Sequence, residues 1–171
     1  MKWTYFLTGI LFSLIVFSCK KDSLSTGRGL YSSADTLKFD TVFTSVGSVT
    51  RSFKIINDRN EAITLSSIKL MGGASSAYKM NVNGTAAVEQ NNVSIAANDS
   101  IYIFVSAFID PNSTGNPFLL TDSIGYSYNG STNFVQLQAY GRNAVFLRKQ
   151  TIGSNTSWSN TLPYVIIGGL T

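Results

Sequence analysis

No histidine occurs anywhere in the sequence, which excludes a Ser-His-Asp triad, a Cys-His pair and a histidine-ligated zinc. Cysteine occurs once, at Cys19, where the only signal-like segment of the chain ends. Acidic residues number nine, and none of them falls into the Asp/Asn-rich loop with a closing Glu that calcium requires. Asp110-Pro111-Asn112-Ser113 has the oxygens for calcium but reads as a turn capped by Asx side chains. A glycosidase needs two carboxylates about 5 to 10 Å apart, and the spacing of these acids recommends no pair. Gly72-Gly73 and Gly168-Gly169 lack the following helix or lysine of a phosphate loop. The chain is therefore expected to have no catalytic residues, no metal and no cofactor, and not to be an enzyme.

Long apolar runs are also scarce, and the first one is informative. Met1-Lys2 opens with a positive charge, and Trp3 to Phe17 carries no charge and is rich in Phe, Leu, Ile and Val. This is the core of a signal peptide. It falls short of the roughly 20 residues that cross a bilayer, and Lys20-Lys21-Asp22 follows at once. The segment closes on Val16-Phe17-Ser18-Cys19, which resembles the bacterial lipobox, with Phe17 larger than the usual residue at its position. The resemblance implies cleavage after residue 18 and a diacylglyceryl group on Cys19. Acylation would leave no thiol for a disulfide, a metal or a nucleophile.

The net charge of +4 describes the ends of the chain. Between Asp35 and Arg142 there are seven basic and eight acidic residues, so no basic face for nucleic acid is expected. Lys20 and Lys21 beside a lipid favour anionic headgroups instead. Residues 19–34 are Ser, Thr, Gly, Lys and Arg with little that is apolar, which predicts a flexible tether with a span of about 20 Å.

From Asp35 the hydrophobic period becomes two, the signature of strands. Leu37 and Phe39 alternate with polar neighbours, as do Phe53 and Ile55 within 49–57. In 62–70, Ile63 and Leu65 change phase to Ile68 and Leu70 at Ser66-Ser67, which predicts a β-bulge. Ile101, Ile103, Val105, Ala107 and Ile109 share one face of 100–109, with Tyr102, Phe104 and Phe108 on the other. Two apolar faces predict a central strand. Segments 118–128 and 132–142 flank Asn129-Gly130, a dipeptide suited to a tight hairpin. Turn signals every 10 to 15 residues or so, with no helical period, predict an all-β chain folded as an antiparallel β-sandwich over 35–144. Residues 145–171 are expected to form a linker and a terminal strand.

Two groups of candidate site residues stand out. Asp followed by Ser or Thr and an aliphatic residue recurs at Ser23, Thr36, Thr41, Ser100 and Ser123. This resembles the short O-glycosylation signal of Bacteroidetes, although Asp and Ser or Thr also cap turns that open strands. Tyr126, Tyr128 and Tyr140, with Phe134, fall on the expected hairpin, where exposed rings would suit sugar stacking or protein contact. Core packing of a sandwich calls for the same residue types.

The run 35–43, then Gly47, Phe53-Lys54-Ile55-Ile56-Asn57 and Ile63-Thr64-Leu65-Ser66-Ser67-Ile68, resembles an immunoglobulin-like sandwich of the ASPM/SPD-2/Hydin type. More narrowly, 35–164 resembles the amino-terminal region of large lipoproteins of Bacteroidetes, in which the sandwich precedes a right-handed parallel β-helix. That resemblance implies a truncated form of a longer protein, with Tyr164-Val165-Ile166-Ile167-Gly168-Gly169-Leu170-Thr171 as a first β-helix rung. The alternative is a last strand of the sandwich. The expected location is the cell envelope, anchored by lipid at the outer membrane, on the surface or the periplasmic side. Two functions are carried forward: a non-catalytic spacing, presenting or docking module with a protein partner, and a carbohydrate-binding accessory domain.

Overall fold

A computed structural model of the chain describes residues 29–109 and 118–171. The expected signal segment, Cys19, Ser23, the first part of the expected tether and the expected turn at Pro111-Asn112 lie outside the described residues.

Among the described residues, ten strands form two five-stranded sheets. The first has the order β1 (Leu30–Ser32), β3 (Arg51–Asn57), β8 (Asp99–Ala107), β5 (Tyr78–Val82), β6 (Thr85–Ala86). The second has the order β2 (Thr36–Phe43), β10 (Ser131–Arg142), β9 (Phe118–Tyr128), β4 (Ile63–Leu70), β7 (Glu89–Ile95). All neighbours run antiparallel except β2 and β10, which are parallel. The leading segment thus starts on one sheet as β1 and crosses to the other as β2, and the whole is an immunoglobulin-like β-sandwich.

The expected tether is shorter than its composition suggested. Leu30, Tyr31 and Ser32 pair with Asn57, Ile56 and Ile55, and Ser33 adds a backbone bond to Lys54 O at 2.9 Å. Leu30 packs against the core. Its side chain and the open edge of β3 together offset the cost of ordering three residues that stand at the end of a largely polar stretch.

The alternation of side chains places the core between the sheets. In β2, Leu37, Phe39 and Val42 point inward. The step from 39 to 42 is possible because Ala139 pairs with Phe39 while Tyr140 pairs with Thr41, leaving Asp40 as the extra residue of a bulge. Ile63, Leu65, Ile68 and Leu70 are all buried in β4. The change of phase at Ser66-Ser67 is not a one-sided bulge, however. Register against β7 is the same before and after it, and Asn92, across from Ser66, takes φ 55°. Both strands absorb an extra residue together.

Ile101, Ile103, Val105 and Ala107 of β8 complete the core with Phe53, Ile55, Ile124, Val135 and Leu137. Burial of each large aliphatic side chain contributes about 1.5 to 3 kcal/mol. β8 is central in its sheet, as its pattern predicted, yet only one of its faces is covered. Tyr102, Phe104 and Phe108 look outward. The hairpin of β9 and β10 turns at Asn129 and Gly130, with φ 50° and 79°.

Beyond the sandwich, β11 (Val145–Gln150) and β12 (Tyr164–Leu170) form a separate two-stranded sheet. They run parallel, with Val145 against Tyr164 and Leu147 against Ile166. β12 is therefore not a last strand of the sandwich. Residues 151–163, which join the two strands, contain neither helix nor strand, and a parallel pair needs a connection of about a dozen residues or more.

Candidate binding surfaces

The structure divides the expected row of rings between two faces. Tyr126 is 2% exposed and sits in the core, opposite Ile68 of β4. It is not a surface aromatic, because the phase that points Ile124 inward also points Tyr126 inward. Tyr128 is half-buried against the core and is covered by Arg59, whose guanidinium carbon lies 5.5 Å from the ring centroid. Tyr140 is exposed, in a row with Leu119 and Thr41. Phe134 is also outward and lies over Gly125, where a Cβ would meet its ring at 3.2 Å. Phe134 and Tyr140 are six residues apart on one strand, about 20 Å, so they form no common platform.

The candidate acceptor hydroxyls also separate. Thr41 is exposed beside the bulge, next to an Asp40 that is almost wholly in solvent and 3.3 Å from Arg51. Thr36, Ser100 and Ser123 are half-buried. In two of the motifs the aspartate has a structural task. Asp99 Oδ1 accepts from the Ser100 N–H at 2.7 Å, and Asp122 Oδ1 accepts from the Ser123 N–H at 2.7 Å.

Asp122 does more. It accepts from Gly72 N–H at 2.9 Å and from the Ser76 hydroxyl, so one carboxylate staples the turn around the 3-10 segment Gly73–Ser75 to β9. Burial, and then the charge of Asp122, push the Tyr78 hydroxyl up to about 12. Tyr78 stays protonated and donates to Leu120 O at 3.0 Å. The other described carboxylates in ion pairs are Glu61 with Arg59 at 3.8 Å and Glu89 with Lys69 at 3.5 Å. Among the described residues no three metal-ligating side chains come together.

Sequence reasoning missed the outer face of β8. Tyr102 and Phe104 are exposed there with ring centroids 5.7 Å apart, and Lys54 Nζ sits 4.7 Å from the Tyr102 centroid. The signal was present in the alternation of 100–109, but two apolar faces were equated with two covered faces. The polar outward residues of the neighbouring strand, Ser52 and Lys54, mark that face as open to solvent.

No protein-family model and no curated protein matches the chain. Solved structures with a similar chain course include a protein of unknown function from Porphyromonas gingivalis W83, at 9% identity and a TM-score of 0.47, covering 75% of this chain and 61% of that one. The periplasmic chaperone SfaE is similar at 9% identity and a TM-score of 0.40, over 67% of this chain and 58% of that one. A family 123 glycoside hydrolase from Clostridium perfringens is similar at 12% identity and a TM-score of 0.46, over 69% of this chain and 26% of that one. The chain spans less than two thirds of the length of each.

Proposed function

We propose that the protein is a non-catalytic, lipid-anchored module of the cell envelope that holds a docking face close to a membrane. The observation that carries this reading is the short path from Cys19 to the sandwich. β1 begins at Leu30, so ten residues, Lys20 to Gly29, separate the lipobox cysteine from the first strand. Ten residues reach at most about 35 Å when fully extended, which keeps a domain of this size beside the lipid surface. Lys20 and Lys21 would add attraction to anionic headgroups. The structural work of Asp122, Asp99 and the ion-paired acids supports a scaffold reading over a chemical one. The resemblance to Bacteroidetes lipoproteins points to the outer membrane, and among the described acceptors Thr41 is best placed for O-glycosylation because a glycan must remain in water.

Fractionation of cells that express the full chain tests the anchor. The protein is expected in the membrane fraction, and Cys19→Ala is expected to move it to the soluble fraction. A Cys19→Ala chain that stays with the membrane counts against the proposal.

A second reading, a carbohydrate-binding accessory domain, is favoured by one observation. Tyr102 and Phe104 present paired rings to solvent on a sheet face, and exposed apolar patches of that kind mark binding sites.

A further inference from the structure

The outer face of β8 combines rings, cations and hydrogen-bonding groups. Tyr102 and Phe104 are 41% and 38% exposed, and their planes lie within 15° of each other. Lys54 is directly opposite Tyr102 on β3, and Asn81 of β5 is directly opposite Phe104. Lys79 stands opposite Ser106, one pleat further along. Beside Phe104 is a cleft of about 400 Å³ lined by Thr50, Lys79, Asn81, Gly84 and Ser106 among others. The Gly84 N–H donates to Asn81 Oδ1 at 2.8 Å, which fixes the amide and leaves its NH2 as a donor. Across β3, β5 and β8 the single carboxylate is Asp99, at the end of β8 remote from Lys79.

We propose that this face binds an anionic polysaccharide built of carboxylated sugars. An aromatic ring matches the apolar C–H face of a pyranose. Thr50, Asn81 and Ser106 supply the convergent polar groups that a sugar's hydroxyls need. Lys54 and Lys79 flank the rings and complement a carboxylate on the sugar, with no acid between them to repel it. A lipid surface fits less well, because the polar groups line a recess alongside β8 and not a protruding tip. Single-stranded nucleic acid fits less well too, since two lysines are far from the 6 to 10 or so phosphate contacts that strong binding uses. This inference rests on the carbohydrate-binding reading above; the site stands on the sandwich alone and does not depend on a lipid at Cys19.

The full chain, purified in nonionic detergent, is titrated by calorimetry with polygalacturonate and hyaluronate, and with methyl-esterified polygalacturonate as the neutral counterpart. Binding to at least one acidic polymer is expected, weakened at least tenfold by Phe104→Ala, by the pair Lys54→Ala/Lys79→Ala and by methyl esterification. Phe104→Tyr retains the ring and is expected to retain binding. Phe134→Ala, on the other sheet, is expected to change nothing. Unfolding temperatures of the variants separate a lost site from a lost fold. No binding to either acidic polymer overturns the proposal. So does binding that survives Phe104→Ala, or binding of phosphatidylglycerol vesicles that the same substitutions abolish while the polysaccharides bind no more tightly than the neutral polymer.

Discussion

The backbone N–H of Gly72 donates to Asp122 Oδ1 at 2.9 Å, and a Cβ on residue 72 would lie 2.5 Å from Oδ2 of the same carboxylate. The turn and β9 approach this closely because residue 72 has no side chain. Gly72→Ala is expected to force the staple apart and cost about 1 to 3 kcal/mol, the usual penalty of inserting a methyl where none fits. Urea unfolding measures it, and a loss below about 0.5 kcal/mol would show that the turn relaxes freely.

Asn57 is fully buried at the end of β3. Its amide donates to Glu61 O at 2.9 Å and Ala96 O at 2.8 Å, with Ile95 O at 3.3 Å, and its Oδ1 accepts from Arg59 N–H at 3.1 Å. One side chain thereby ties the β3–β4 loop to the end of β7. Asn57→Ala strands these buried backbone groups, each worth about 1 to 3 kcal/mol when unpaired, so a loss of at least about 2 kcal/mol is expected. Asn57→Asp should also destabilise, because three of the groups facing the side chain are carbonyls that require a donor.

Tyr78 makes stability depend on alkaline pH. Its hydroxyl is held up to about 12, from 10.0, by burial and then by Asp122. Below about pH 10 the phenol is protonated in both folded and unfolded chains, and its contribution is fully present. As pH rises from about 10 through about 12 the unfolded chain releases the proton first, so stability falls. Denaturant unfolding at pH 8 and pH 11 should show a smaller decline in Tyr78→Phe than in the parent. The same substitution removes the bond to Leu120 O and should cost about 1 kcal/mol at pH 8.

Much of the sandwich was legible because its signals are local. Asn129-Gly130 fixes a hairpin whose strands alternate cleanly, and β8 carries four aliphatic residues in strict period. β7 was not legible. Glu89-Gln90-Asn91-Asn92 offers no apolar side, and these residues are held as an edge strand by β4. β1 was hidden too, since Leu30 and Tyr31 follow a long polar stretch and are ordered by pairing with β3 and by the packing of Leu30 on the core. The aromatic candidates failed on phase: Tyr126 and Tyr140 lie on one hairpin yet face opposite ways. The Tyr102–Phe104 face was visible as residues but not as surface, because period alone does not say whether a second layer covers it.

Among the acceptor motifs within the described residues, Thr41 differs from Thr36, Ser100 and Ser123 in exposure. If the chain carries a glycan on the sandwich, Thr41→Ala should remove it, while Ser123→Ala should leave the mass unchanged. Intact-mass comparison of the variants, expressed in a Bacteroidetes host, checks this. A glycan retained by Thr41→Ala and lost by Ser123→Ala would reverse the assignment.

Mass spectrometry of the amino-terminal peptide from the full chain, extracted from bacterial membranes, tests the proposed anchor at the residue that defines it. The expected product begins at Cys19 and carries a diacylglyceryl group on its sulfur, and Cys19→Ala abolishes it. A peptide that begins elsewhere, or that begins at Cys19 with a free thiol, would contradict the lipid-anchored reading.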